Sequence, residues 1–157
     1  MDSKVKLFLQ RAENERDLGK ALFVLSQNNE LKNELSLTED HTFYSAVISH
    51  SYYCIFYSAR AILLNEKVNI EPPEIHKKAI QSFERLAENG KIDVKLLKIY
   101  KKMIVKADAL LDIFKLEKNK RGHFTYQKLP QANLEPAEES VRNAFFFFKN
   151  INAILES

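Results

Sequence analysis

Apolar residues recur every three or four positions along most of this chain, and no stretch alternates as a half-buried strand would. Five amphipathic segments follow from that spacing. The first covers about residues 3–28 and frays toward Leu35, with Leu18, Ala21, Leu22 and Leu25 on one face. Asn28-Asn29 weakens it, and Ser36 to Asp40 reads as a connector. The second starts near Thr38 and runs to about Asn65; Phe43, Ala46, His50, Tyr53, Tyr57 and Arg60 form one stripe, with Val47, Cys54 and Ala61 beside it. Small and aromatic residues surround this helix on every side, which places it at the centre of a bundle.

Pro72-Pro73 precedes the third segment, Glu74 to Glu88, because proline suits a first helical turn. Its inward residues are Ile75, Ala79, Ile80, Phe83, Leu86 and Ala87, and Asn89-Gly90 ends it. The fourth runs from about Asp93 to Lys118 along the stripe Leu96, Ile99, Tyr100, Met103, Ala107, Leu110 and Phe114. The fifth, Ala137 to Leu155, follows Pro136 and turns Val141, Ala144, Phe145, Phe148, Ile151 and Leu155 inward. The expected fold is all-α: one domain over residues 1–157, an up-and-down antiparallel bundle of four to five helices.

Composition narrows this picture little. The 157 residues include three glycines and four prolines, few breakers for a chain of this length, and one domain of this size buries a real core. The lone Cys54 has no partner for an intramolecular disulfide, which fits a reducing, cytoplasmic setting. No apolar run approaches the length of a membrane span, so no membrane partner is expected. The formal charge of +3 neither requires nor excludes a polyanion.

Charge distribution says more. Lys91, Lys95, Lys98, Lys102 and Lys106 fall on one stripe of the fourth helix. That stripe is either a phosphate-neutralising surface or the solvated face of an ordinary helix. The histidines, His41, His50, His76 and His123, show no pair at metal-ligand spacing, so no metal and no cofactor is expected. His76 falls in a first helical turn, where the helix dipole disfavours its charged form. In Phe145-Phe146-Phe147-Phe148 a single inward face takes Phe145 and Phe148. Phe146 and Phe147 then point sideways or outward, as a wide core contact or as the interface of a homodimer.

The densest polar chemistry lies in Lys118-Asn119-Lys120-Arg121-Gly122-His123-Phe124-Thr125-Tyr126. Arg121 can grip a phosphate through two N–H groups, Lys118 and Lys120 add charge, and Gly122 lets backbone approach closely. A histidine such as His123 can act as general acid or base near neutral pH, and Tyr126 offers a hydroxyl or a stacking ring. A basic, glycine-broken helix end would look the same.

The second segment, with Phe43-Tyr44-Ser45-Ala46 and then Ser51-Tyr52-Tyr53-Cys54-Ile55-Phe56-Tyr57-Ser58-Ala59-Arg60-Ala61-Ile62-Leu63-Leu64, resembles the signature helix of HEPN domains. Ile75-His76-Lys77-Lys78-Ala79-Ile80 and Phe83 resemble the following helix of one small stand-alone HEPN group. Arg121 through Tyr126 resemble that group's ending, so the likeness extends over about residues 43–155. It implies a helical bundle that pairs as a homodimer. It also implies binding of a nucleotide or RNA, as the accessory or toxin half of a toxin–antitoxin pair with a nucleotidyltransferase partner. Lys118, Lys120, Arg121 and Tyr126 would contact the anion, with His50 and Arg60 as neighbours. Two other expectations stand beside it: a metal-independent RNA endonuclease with His123 as base and Arg121 as phosphate clamp, and a protein-interaction scaffold built on the phenylalanine run.

Overall fold

The computed structural model describes residues 1–111 and 133–157. They form six α-helices and no strand: α1 (Ser3–Gln27), α2 (Asn29–Glu34), α3 (Tyr44–Asn65), α4 (Ile75–Glu88), α5 (Val94–Leu111) and α6 (Leu134–Glu156). The all-α bundle is therefore the observed fold.

Local chemistry sets the boundaries. Asp2 caps α1, its carboxylate accepting the Lys4 N–H at 2.7 Å. Asn28 leaves helical geometry and accepts the Leu31 N–H at 3.0 Å, so the expected fraying tail is a separate short helix. Thr38, Asp40 and His41 bond among themselves in the connector, and α3 starts only at Tyr44, later than the spacing suggests. Gly90 ends α4 in the left-handed region, at φ 73°, as Asn89-Gly90 indicated. Helix α6 begins three residues before Ala137. Pro136 fits its third position, because first-turn N–H groups have no intrahelical acceptor.

Helix α3 is central and feeds two cores. One side packs Tyr52, Ile55, Ala59 and Ile62 against Phe83 of α4, Tyr100 and Met103 of α5, and Phe147 of α6. The other packs Cys54 and Ala61 against Val5, Leu9 and Ala12 of α1 and Ala144 and Phe148 of α6. Contacts run from Phe23 with Tyr44 to Phe8 with Tyr57, so α1 and α3 are antiparallel. Lys95 with Phe146 and Lys106 with Glu139 set α5 antiparallel to α6.

Two sequence expectations turn over here. On α1, Leu18 and Ala21 face solvent, and the buried residues are Val5, Leu9, Ala12, Gly19 and Ser26. The seam against α3 is lined with small residues, which a search for large apolar side chains passes over. On α6, Phe147 does not point outward: it is fully buried, its ring 5.5 Å from Phe83 and 5.9 Å from Tyr100. Phe148 is buried against α1, and Phe145 lies half-buried beneath Arg16 and Lys20. Of the two residues assigned to a homodimer contact, only Phe146 is open to solvent, at 37%.

Candidate functional site

The stripe Phe43, Ala46, His50, Tyr53, Tyr57 and Arg60 is the least buried long edge of α3, each member being half-buried. Toward its C-terminal end this edge meets α1 and the start of α4. Phe8 of α1 stacks on Tyr57 with ring centroids 6.3 Å apart, and the Arg11 guanidinium lies 5.8 Å over the Tyr57 ring. Arg60 stands one turn beyond Phe56. Its guanidinium carbon is 4.8 Å from the Phe8 centroid and 5.7 Å from that of Phe56. One of its N–H groups donates to the Ile70 carbonyl at 3.3 Å, in the loop leading to α4.

His76 closes this face from α4. It stacks on Phe56 at 4.3 Å, meets Tyr53 edge-on at 6.0 Å, and its Nδ1 lies 2.8 Å from the Tyr52 hydroxyl. The two arginines, three tyrosines, two phenylalanines and one histidine therefore converge from three elements.

The electrostatics of Arg60 are unusual for an arginine. Burial among the rings holds its pKa below the ordinary value, and among the described residues no carboxylate pairs with it. A guanidinium remains charged under such burial, with five N–H donors to satisfy. A cation without a carboxylate partner, near the half-buried rings of Phe8, Tyr53 and Tyr57, can accept an oxyanion with a flat ring beside it.

Burial also lowers the His76 pKa, and the nearby positive charge of Arg60 lowers it further. The expected direction is thus observed, but burial and Arg60 are its causes. An unfolded His76 takes up a proton near pH 6.5, whereas the folded one resists until lower pH. Stability should fall as pH drops below about 6.5 and level off at the depressed folded value. Urea titrations from pH 7.5 to 4.5 on wild type and His76→Gln check this: the difference between them should shrink as the pH falls.

His50 lies elsewhere. Ten residues along one helix separate it from Arg60 by about 15 Å. Its Nδ1 lies 2.5 Å from a Glu15 carboxylate oxygen on α1, an ion pair at the seam when His50 is protonated. The structure thus does not bring the two α3 candidates into one site. Lys118, Lys120, Arg121, His123 and Tyr126 lie outside the described residues.

The lysine stripe is largely engaged. Lys91 pairs with Glu66, Lys102 and Lys106 share Glu139 at 2.5 and 3.2 Å, and Lys95 lies 4.7 Å over the Phe146 ring. It reads as a solvated face with its own carboxylates. Among the described residues no group of three or more His, Cys, Asp or Glu stands close enough to hold a metal, and no helix is long and apolar enough to cross a membrane.

Tyr52, Phe8, Arg11 and His76 were not singled out as site residues. For Tyr52 a signal existed: Tyr52, Phe56 and Arg60 recur every four residues, so they share one face of α3. For Phe8 and Arg11 there was none, since only the docking of α1 brings them to α3. Comparison with known proteins returns no match among protein-family models, curated proteins or solved structures, so the likeness to HEPN domains is carried by the quoted residues alone.

Proposed function

We propose that this protein binds a phosphate-bearing ligand, a nucleotide or single-stranded RNA, on the face formed by α1, α3 and α4. The observation that carries the proposal is Arg60, a half-buried guanidinium with no carboxylate partner among the described residues, set against Phe8 and Phe56. A cation of this kind favours a phosphate, and the half-open rings of Tyr53 and Tyr57 favour a base or sugar beside it. The HEPN-like run through α3 supports the same ligand class. In this proposal the protein is the accessory or toxin half of a nucleotidyltransferase-linked pair, and the basic segment from Lys118 to Tyr126 supplies further contacts.

Titration of AMP and of a short single-stranded RNA, at several salt concentrations, tests it. Wild type should bind RNA with an affinity that falls as salt rises. Arg60→Gln should weaken both ligands about tenfold or more, the size of a lost charge-assisted hydrogen bond. Lys98→Ala, on the lysine stripe, should leave AMP unaffected. Equal losses at Lys98 and Arg60 would mean diffuse charge attraction and sink the assigned site.

A further inference from the structure

Arg11 and Arg16 stand on the same helix in different electrical company. Arg16 is paired twice, with Glu13 at 3.4 Å and with Asp17 at 2.9 Å. Arg11 has Glu15 four residues on, a spacing that lets a helix form an ion pair. The Glu15 carboxylate turns instead to His50 on α3, at 2.5 Å, and among the described residues no carboxylate pairs with Arg11. The exposed Arg11 guanidinium lies over the Tyr57 ring at 5.8 Å.

Its place relative to Arg60 follows from how α1 and α3 interdigitate. Tyr57 and Arg60 are three residues apart on α3, and Phe8 and Arg11 are three apart on the antiparallel α1. Arg60 meets the Phe8 ring at 4.8 Å, Phe8 stacks on Tyr57 at 6.3 Å with the planes 23° apart, and Tyr57 meets Arg11. Contacts thus alternate between the two helices along one row, with two rings in the middle and a guanidinium at either end. Both rings are half-buried, so a ligand can reach the row between the cations. A mononucleotide carries its phosphate at one end and meets one of these cations at a time. A single strand carries a phosphate on every nucleotide, with aromatic bases between.

We propose that Arg11 is a second phosphate contact, and that the face takes a single strand of RNA in preference to a mononucleotide, with one phosphate at Arg60, another at Arg11 and the strand crossing the Phe8–Tyr57 pair between them. The inference rests on the anion-binding proposal above and narrows its ligand.

Titrations of AMP and of a short oligoadenylate strand, over a range of salt, test it on wild type, Arg11→Gln, Arg60→Gln and Lys20→Gln. Arg11→Gln should weaken the strand about fivefold to tenfold and leave AMP within about twofold of wild type. The log–log salt slope for the strand should become shallower by about 0.7, as for one lost phosphate contact. Lys20→Gln makes the same charge change on the side of α1 that faces Phe145, and should leave the strand unaffected. An unchanged strand affinity in Arg11→Gln, an equal loss of AMP and strand, or equal losses at Lys20 and Arg11 would each overturn the inference. If Arg60→Gln still weakens AMP, the anion-binding proposal survives that outcome; if it affects neither ligand, that proposal fails as well. Arg11→Lys guards against a merely structural effect: it keeps the charge and should keep the wild-type salt slope, and a slope lost with lysine too would overturn the inference.

Discussion

Phe147→Ala should lower the free energy of unfolding by about 3–5 kcal/mol, while Phe146→Ala one position earlier should change it by less than about 0.5 kcal/mol. Phe147 has no exposed surface and fits between Phe83 and Tyr100, where α4, α5 and α6 meet beneath α3. Removing its ring forfeits the transfer energy of the buried atoms and leaves a void that three helices cannot close together. Phe146 is 37% exposed and is covered in part by the Lys95 side chain. For a domain of this length the Phe147 loss corresponds to a drop in melting temperature of roughly 10 °C. Thermal melts of the two variants side by side check it; similar losses would mean that α6 is rotated about its axis from the orientation described. The same pair bears on the homodimer: Phe146→Asp tests an interface, whereas Phe147→Asp would unfold the chain and report nothing about association.

Lys32→Glu should cost about 3 kcal/mol or more, and Lys32→Met only about 1 kcal/mol. Lys32 is 2% exposed, although lysine is among the residues least often found inside. Its ammonium donates to the Glu39 carbonyl at 2.7 Å, and its own carbonyl accepts the Leu37 N–H at 2.8 Å. One residue therefore holds the α2–α3 connector from both ends of its side chain and backbone. Methionine keeps the buried stem and loses one hydrogen bond. Glutamate would bury a negative charge against a carbonyl oxygen, which is repulsive and poorly solvated. Denaturant melts measure both costs. Hydrogen exchange at Leu37 should accelerate in the glutamate variant before the rest of the fold opens; unchanged exchange there would separate Lys32 from the connector.

Helix positions were legible because they depend on local chemistry: caps, prolines, Gly90 and the three-to-four spacing of apolar residues. The central place of α3 was legible too, since Val47, Ile55, Ala59 and Leu63 leave almost no polar side to it. The face of α1 was not. Large side chains advertise a buried face, but α1 meets α3 through Ala12, Gly19 and Ser26, whose value is their small size. In α6 four consecutive phenylalanines carry no phase information: Ala144, Phe148 and Ile151 face inward as their spacing suggests, but Phe147 rather than Phe145 completes the buried face. The Arg60 site was half legible. The residue stood on the right stripe, but its aromatic neighbours Phe8 and His76 come from 52 residues before it and 16 after it in the chain, and only tertiary packing reveals them.

The second core has a consequence for the order in which the molecule is made. Val5, Leu9 and Ala12 share their cluster with Cys54 and Ala61 of α3 and with Ala144 and Phe148 of α6. During synthesis α1 can already lie along α3, and sealing of this core waits for α6 to leave the ribosome. Helices α3, α4 and α5 can already associate through Phe83 and Tyr100 by then. The face around Arg60 draws only on α1, α3, α4 and the loop before α4, so it can form before α6 closes the second core.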